Sequence, residues 1–503
     1  MHHRHNMLSP ALLVPALFMV APLAGCTVGP DYKGPPPVAS TAEKAASFQR
    51  AADAGVIVDA PAAQWWTALG DQQLDALIQE ALANSPDVDA AEARLRAARA
   101  ALRQSRRDLL PSVSAQGTYL RTDGGSLTGA FSGGEDNDDG SGQNGDNGQQ
   151  DSGDSTFELY NVGFDATWEI DIFGGKRRAS EAARAQAEAS AANLADVHVS
   201  LAAEVAQAYV DLRDQQQRLQ LARDSAAKQQ QILTLIQQRR QYGAASDLDV
   251  ERQQTELATA RATEVPLAGQ VKLSLDRLAL LLGREPGAMD SRLAAPAPLP
   301  QLPATVPVGN PADMLRRRPD IRAAERTLAA RNAVIGQRVA DMFPKVTLLG
   351  ILGWGSTSIS SLFDSDNLSY IAAPMLQWNF LDFGRNQARV REAEANRDEA
   401  IANYRKAVLT ALNDAESSLS RFGSERQNLV NLARVRLSAQ RAATLTRQRR
   451  NNGVASEIEA LDTERTLISA DQNLASAQAT LVKDFIALQK SLGLGWAPPL
   501  EQR

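Results

Sequence analysis

The chain has 503 residues, of which 44% are hydrophobic, 22% are charged and only 5% are aromatic. Few aromatic residues and abundant Ala, Gln, Arg and Leu favour long helices with small-residue contacts over one bulky globular core. The formal net charge is −6, and it would be +2 without the eight acidic residues between Thr122 and Thr156. The remaining chain therefore has no basic field for nucleic acid, and no nucleic-acid partner is expected.

The first residues have the composition of a secretory signal. An apolar run, ALLVPALFMVAPLAG, leads to Cys26, which is the single cysteine of the chain. A run of about 15 residues is short for a membrane-spanning helix, and Pro15 and Pro22 weaken it further. LAGC at 23–26 resembles a bacterial lipobox, in which cleavage precedes the cysteine and the thiol receives a lipid. An ordinary secretory signal with an incidental cysteine is the alternative. Thr27 follows Cys26, which implies outer-membrane delivery by resemblance to Gram-negative lipoproteins.

The rest of the chain consists of two similar halves. SPDVDAAEARLRAARAALRQSRRDLLPSVSAQG at 85–117 aligns with RPDIRAAERTLAARNAVIGQRVADMFPKVTLLG at 318–350, at a spacing of 233 residues. WEIDIFGGKR at 168–177 aligns with WNFLDFGRNQ at 378–387, at a spacing of 210 residues. The difference between the two spacings falls on the acidic segment, so the first half carries a loop insertion there.

Each half contains stretches in which apolar and polar residues alternate. Residues 160–172 do so strictly, with every apolar side chain at an even position. Period two predicts a β-strand with one apolar face. SVSAQGTY at 112–119 alternates too, 370–380 does so less cleanly, and VTLLGILGWG at 346–355 is a weaker strand. A soluble sandwich could use such strands. However, four strands isolated among helices offer no second sheet, whereas membrane barrel strands need about 9–11 such residues.

Helical sequence follows each pair of strands. Residues 176–241 contain no proline and predict a helix roughly 100 Å long at ~1.5 Å per residue. Residues 247–282 predict the returning helix, and 87–109 a shorter one. Pro266 should interrupt and kink the returning helix, whereas its partner in the second half is Ser476.

The turn between long and returning helix occurs twice, as RQYGAASDLDVE at 240–251 and RNNGVASEIEAL at 450–461. Glycine is expected to end each long helix, and serine to cap the next helix. Arginines before each turn (Arg239, Arg240, Arg449, Arg450) are interpreted as partners of the helix dipole in preference to ion-pair donors. The predicted tip residues are Gly243, Ala244, Ala245, Ser246, Gly453, Val454, Ala455 and Ser456.

Neither the strands nor the helices of one chain form a closed structure. A helix of that length needs partners along its whole length, and barrels in lipid have no free edges. Symmetric copies satisfy both requirements. Three chains would give twelve strands and twelve helical rods.

Three segments carry a family resemblance: TVGPDYKGPPP after the lipobox, QWWTALGDQQLDALIQEALANSPDVDAAEARLRAAR at 64–99, and LRRRPDIRAAERTLAARNAVIGQRVADMFPKV at 315–346. They resemble the outer membrane factors of tripartite efflux pumps, and more narrowly the NodT-type lipoprotein branch of the TolC-like family. The resemblance covers almost the whole mature chain. It implies a mixed fold with two internal repeats per chain. A trimer then forms a 12-stranded outer-membrane β-barrel continued by an α-helical barrel, a long coiled-coil periplasmic tunnel.

The expected organisation follows from the repeats and this resemblance. It consists of a lipoprotein signal peptide (1–25), a lipid-anchored and equatorial segment (26–80), repeat 1 with the acidic loop 122–156 (81–283), an equatorial linker (284–316), repeat 2 (317–493) and an equatorial tail (494–503).

The resemblance also assigns roles to the turns. The tips are expected to contact a periplasmic adaptor, or membrane fusion protein, which joins the channel to an inner-membrane pump of the resistance–nodulation–division (RND) type. Asp249, Glu459 and Asp462 are expected to form an acidic ring at the periplasmic aperture, where carboxylates attract cations. Alternatively, acidic residues there stabilise helix N-termini.

The implied function is a passive exit duct for drugs or other small toxic compounds. The duct would be a homotrimer in the outer membrane, anchored by lipid and extending into the periplasm. No catalytic residue, metal or cofactor is expected, other than the covalent lipid on Cys26. Two alternatives are a conduit for type I protein secretion and a soluble periplasmic coiled-coil scaffold.

Overall fold

The structure is a computed structural model that describes residues 27–123 and 156–496. Cys26 and most of the acidic loop lie outside the described residues. The chain divides into two compact units. The first contains Ala101–Ala183 and Arg331–Ala395 together with the described residues up to Tyr32, and the second contains the remainder.

Long helices and one sheet make up most of the described chain. The helices are α1 (Ser40–Glu43), α2 (Ala51–Ala54), α3 (Gln72–Asn84), α4 (Pro86–Arg107), α5 (Gly175–Gln241), α6 (Asp247–Leu281), α7 (Asp290–Leu293), α8 (Pro311–Arg317), α9 (Pro319–Ala340), α10 (Arg385–Asn451) and α11 (Glu457–Ser491). The strands are β1 (Ser112–Asp123), β2 (Thr156–Ile170), β3 (Lys345–Ser356) and β4 (Leu368–Gln377). Short 3₁₀ turns span Trp65–Leu69, Ile359–Ser361 and Ser365–Asn367.

The two repeats have helices of equal length. Both α5 and α10 contain 67 residues, and both α6 and α11 contain 35. The predicted interruption at Pro266 is wrong, because α6 continues through that residue. In the part of the chain that the structure describes, no helix combines the length and the apolar character needed to cross a membrane.

The first unit contains an antiparallel sheet in the order β1-β2-β3-β4. The register places Val113 opposite Ala166, Ala166 opposite Gly350, and Gly350 opposite Ala372. Because side chains alternate between faces along a strand, the even residues of β2 share one face with apolar residues of all four strands. That face, called the outer face below, carries Val113, Ala115, Tyr119, Tyr160, Val162, Phe164, Ala166, Trp168, Val346, Leu348, Leu352, Trp354, Leu368, Tyr370, Ala372, Pro374 and Leu376.

The strand boundaries differ from the alternating patterns. β2 begins at Thr156, earlier than the pattern that starts at Tyr160, and β4 ends at Gln377. Trp378 lies beyond the end of β4, and its indole Nε1 donates to the carbonyl of Met342 at 3.1 Å. Its repeat partner Trp168 donates to the carbonyl of Leu109 at 3.0 Å. Each tryptophan thus closes the same helix-to-strand connection in its repeat.

The second unit has a helical core crossed by polar contacts. Trp65 lies edge-on to Phe485, with ring centroids 6.1 Å apart. Arg213 is 1% exposed, and its guanidinium donates to the side chain of Gln73 at 2.6 Å and the carbonyl of Ala295 at 2.9 Å. It also lies over the ring of Tyr209, 4.9 Å from its centroid. This buried cation therefore ties α3 and the linker after α7 to the middle of α5.

Candidate functional site

Both helical hairpin turns end their long helix in the same way. Gly243 has φ of 72° and Gly453 has φ of 73°, which is the left-handed conformation that glycine adopts without strain. The next residue donates back into the helix at each turn, from Ala244 N–H to Arg239 O at 2.8 Å and from Val454 N–H to Arg449 O at 2.9 Å. The tips are thus repeat-related in geometry as well as in sequence.

The first predicted aperture carboxylate is engaged in helix capping. The Ser246 hydroxyl accepts from the Asp249 N–H at 3.2 Å, and the Ser246 N–H donates to the Asp249 carboxylate at 2.9 Å. The Ser246 backbone and hydroxyl hydrogen bonds lower the pKa of Asp249 from its ordinary value. Asp249 therefore stabilises the start of α6, with or without a further role at the aperture.

The other two predicted aperture carboxylates, Glu459 and Asp462, make ion pairs with arginines and do not accept a capping hydrogen bond from any described residue. The Ser456 hydroxyl accepts from the Glu459 N–H at 3.1 Å, while the Glu459 carboxylate lies 3.8 Å from Arg449. Asp462 pairs with Arg465, one turn further on, at 3.0 Å. One chain places Asp249 on the first hairpin and the other two on the second.

An ion pair bridges each turn, at equivalent positions of the two repeats. Arg240 pairs with Asp247, and Arg450 pairs with Glu457 at 2.8 Å. The preferred interpretation of these two arginines as dipole partners therefore missed their contacts, and the ion-pair alternative describes them.

A charged triad that the sequence did not reveal joins three helices near the tips. Glu464 on α11 accepts from Lys228 on α5 at 2.6 Å and from Arg447 on α10 at 2.9 Å. Burial alone would raise the pKa of Glu464, but the hydrogen bonds from these two cations outweigh it and the pKa is lowered. Because Lys228 and Glu464 are 236 residues apart, only their tertiary proximity identifies the pair.

The segment that follows Cys26 is fixed on the first unit. Gly29 has φ of 87° and crosses Gly336 of α9 so closely that an added Cβ would lie 2.4 Å from the Gly336 Cα. Asn332 donates to the carbonyl of Pro30 at 2.9 Å.

Arg178 at the start of α5 holds the same segment. This side chain is 4% exposed, donates to the carbonyl of Val28 at 3.2 Å and pairs with Asp31 at 2.6 Å. Thr27 lies against Gly174. Residues 27–31 are therefore attached to the junction between β2 and α5.

The RRPDI motif caps the end of α11. Arg318 donates to the carbonyl of Ser491 at 2.5 Å and pairs with Asp320 through two hydrogen bonds of 2.7 and 3.0 Å. Arg317 donates to the carbonyl of Leu492 at 3.0 Å. These contacts satisfy helix-end carbonyls with cations, which gives this motif a structural reason. Within residues 27–123 and 156–496, no group of His, Cys, Asp and Glu could hold a metal ion.

A family model described as outer membrane efflux protein matches residues 77–284 and 310–494. The chain belongs to the outer membrane efflux protein family. It is 29% identical over 491 residues to the outer membrane protein OprJ of Pseudomonas aeruginosa, covering 97% of both chains. It is 32% identical over 443 residues to the pyoverdine export outer membrane protein OpmQ of the same organism, covering 86% of this chain and 87% of OpmQ. The solved outer-membrane channel OprN matches with a TM-score of 0.81 and 33% identity, over 94% of this chain and 100% of that chain.

The expected fold class and general function are confirmed by this membership. This outer membrane efflux protein has the family's two-repeat fold, in which a trimer forms a 12-stranded outer-membrane barrel continued by a helical tunnel. It is an outer membrane channel of a tripartite efflux pump. Family members are channels and not enzymes.

Proposed function

We propose that this channel is the exit duct of an RND-type pump, that it receives drugs or other small toxic compounds, and that a periplasmic adaptor docks on its two helical tips. The equivalence of the tips carries the proposal. Both turns expose short side chains, among them Ala244 and Val454, beside a bridging ion pair. An adaptor with repeated contacts could thus engage both tips alike.

Gene deletion separates this proposal from type I protein secretion. We expect the deletion strain to become more susceptible to drugs and to secrete proteins normally. Unchanged susceptibility with lost secretion would favour the alternative.

Cysteine crosslinking tests whether the adaptor docks on the tips. Gly243→Cys and Gly453→Cys are each combined with an adaptor that carries a cysteine-reactive group, and both should crosslink. Crosslinks from a control cysteine at exposed Lys44 should be absent.

The acidic aperture is a second part of the proposal. In a trimer, Asp249, Glu459 and Asp462 would place nine carboxylates around the periplasmic end, attracting cations and opposing anions. Support comes from the positions of Asp249 and Glu459 in the first turns of α6 and α11, with Asp462 one turn further along α11. Asp249 can serve both as a cap and as a member of the ring, because its carboxylate stays ionised in the capping contact.

We predict that Asp249→Ala with Glu459→Ala raises single-channel conductance in planar bilayers and lowers cation selectivity. Ser246→Ala is the matched control, since it breaks the capping contact and keeps the charge. If Ser246→Ala raises conductance equally, the cap and not the charge controls the aperture. Unchanged conductance and selectivity in the double variant would remove both residues from the gate.

Lipidation of Cys26 is the third part of the proposal. Cys26 is bonded to Thr27, and residues 27–31 are held by Arg178 and Asn332 beside the end of β2. A lipid on that cysteine would therefore enter the membrane close to the sheet. An unstructured tether between the lipid and the sheet would not require these contacts.

Mass spectrometry of the mature N-terminus tests this assignment. We expect a lipid-modified Cys26 in the natural protein and none in Cys26→Ser. Arg178→Ala should keep the lipid but make residues 27–31 more sensitive to protease, whereas exposed Arg184→Ala should not. An unmodified natural N-terminus would refute the lipid anchor.

A further inference from the structure

We infer that the barrel wall of this channel binds amphipathic organic cations, through Asp165 and an apolar patch on β3 and β4. The inference rests on the proposed passage of small compounds, because a wall site acts only on molecules that enter the channel. The patch lies on the face of the sheet opposite the outer face, called the inner face below.

The two halves of the inner face differ in character. On β1 and β2 it carries mainly polar residues, namely Ser112, Ser114, Gln116, Thr118, Asn161, Asp165, Thr167 and Glu169, with the opposed pair Leu120 and Leu159 further along. On β3 and β4 it carries Leu349, Ile351, Ile371, Ala373 and Met375, which together are called the inner patch. A bilayer accounts for the apolar outer face only. The inner patch therefore needs another explanation.

The members of the inner patch are neighbours across the strands. Ile351 is opposite Ile371, and Leu349 is opposite Ala373. Opposed side chains have Cβ atoms about 4.5–5.5 Å apart, so these residues form one continuous surface. Ile371 is 54% exposed and Met375 is 56% exposed. From Ile371 to Met375 the patch extends roughly 13 Å along the strand, about the length of a bicyclic or tricyclic aromatic molecule.

Asp165 borders the inner patch directly. It is opposite Ile351 on the neighbouring strand and lies on the same face. Its Oδ1 atom is buried and has no hydrogen-bond partner among the described residues. By contrast Glu169, the other inner-face carboxylate of β2, lies 3.5 Å from Lys176. Asp165 has no ion pair among the described residues, and a cation beside the patch would approach its carboxylate through Oδ2, because Oδ1 is shielded.

A gap in side chains adjoins this row. Gly163 is opposite Gly353 in the next row of the inner face, so no side chain projects there. An alanine Cβ at Gly163 would lie 2.9 Å from the Leu352 carbonyl oxygen, which makes glycine necessary where the strands approach. Both glycines are buried, and this close strand contact borders Asp165 and Ile351.

The negative charge of Asp165 and the apolar character of the inner patch determine which molecules can bind there. A small apolar cation can place its charge at Asp165 and its body on the inner patch, while an anion would be repelled by the carboxylate. The acidic segment between β1 and β2 in the sequence is rich in Gly, Asp and Asn. Its composition complements neither an apolar surface nor a carboxylate, so it is a poor alternative occupant.

Current blockade of single trimers in planar bilayers tests the site. The probes are tetraphenylphosphonium, tetramethylammonium as a cation without a large apolar body, and naphthalenesulfonate as an aromatic anion. We expect long blockades with tetraphenylphosphonium only. Asp165→Asn should shorten them about five- to tenfold, the size expected for one partly screened charge contact. Ile351→Thr with Ile371→Thr should shorten them comparably.

Two controls keep the result interpretable. Glu169→Gln removes a carboxylate that already has a partner and should leave the blockade time unchanged. Asp165→Glu keeps the charge and should retain most of it, so it replaces Asp165→Asn if the latter fails to form trimers. Equal blockade by naphthalenesulfonate, or unchanged times in both Asp165→Asn and the double variant, would overturn the site. Absence of any channels from the natural protein would instead refute the conduction on which the site depends.

Discussion

At the scale of single residues, two aspartates one turn apart on α5 differ sharply in their surroundings. Asp211 pairs with Lys483 at 3.0 Å. The Asp214 side chain is only 9% exposed and lies 3.7 Å from the guanidinium of Arg218. Its Oδ1 atom has no hydrogen-bond partner within the described ranges. Burial raises the pKa of Asp214, and the nearby cations Arg218 and Lys483 only partly oppose that shift. Asp214 therefore weakens the fold when it is ionised.

Asp214→Asn is expected to stabilise the trimer at pH 7 by about 1–2 kcal/mol, since it removes a poorly compensated buried charge. Because the pKa of Asp214 is raised in the folded protein, ionisation of Asp214 lowers the free energy of unfolding. Stability is lost as pH rises from the ordinary value of 3.8 through the raised value. The advantage of the variant should therefore be full at pH 7 and vanish near pH 4. Thermal melting over that range measures it.

Asp211→Asn is the matched control for this prediction. It breaks a close ion pair instead of removing a poorly compensated buried charge, so it should lower the melting temperature at pH 7. If both variants shifted the melting temperature in the same direction, burial would not be the cause of the Asp214 effect.

At the scale of elements, the helix ends show how the repeats reuse one solution with different contacts. Gly283 follows α6 and Gly493 follows α11, with φ of 67° and 69°. A Cβ at Gly283 would lie 2.5 Å from the carbonyl oxygen of Asn84, and one at Gly493 would lie 2.7 Å from the Arg318 Cγ. In both repeats, glycine lets the junction between two helices, α3–α4 or α8–α9, pass closely over the end of the returning helix.

We expect Gly493→Ala to destabilise the trimer much more than Gly243→Ala. Both positions require a left-handed backbone, which costs an alanine roughly 1–2 kcal/mol. Gly243 has no atom within 4 Å of an added Cβ, so this conformational term is its whole cost. At Gly493 the added methyl also displaces Arg318 from the α11 end, adding about 1–3 kcal/mol.

Melting temperatures of the two variants, measured as loss of heat-resistant trimers on gels, give the comparison. Equal losses would mean that Arg318 moves freely and that the RRPDI contacts add little to the helix end.

At the scale of the whole molecule, the sequence was most informative where a pattern repeats and least informative where contacts are distant. Period two in β2 correctly predicted which side chains share a face, and glycine and serine correctly predicted both turns. The alternation around Trp378 continues past Gln377, where β4 ends, although its repeat partner Trp168 makes the equivalent hydrogen bond from within β2. Alternation of apolar and polar residues shows which side chains share a face, but it does not show where the hydrogen bonding between two strands ends.

Distant charge contacts could not be predicted for a related reason. Glu464 has the same sequence character as many exposed acidic residues, and only the packing of α5, α10 and α11 brings Lys228 and Arg447 to it. The aperture roles of Asp249, Glu459 and Asp462 depend on three copies and stay predictions.

The assignment of the outer face makes a prediction for the assembled trimer. Val162 and Asn161 are neighbours in β2 but lie on opposite faces of the sheet. Val162→Lys would place a charge towards lipid, at a cost of about 2–4 kcal/mol near the middle of the bilayer. Asn161→Lys would place the same charge in the water-filled interior, where it is solvated. We therefore expect heat-modifiable trimers in the outer-membrane fraction to fall strongly for Val162→Lys and to remain near the natural level for Asn161→Lys. The reverse pattern would mean that the apolar face lines the channel, and the inner patch would then face lipid.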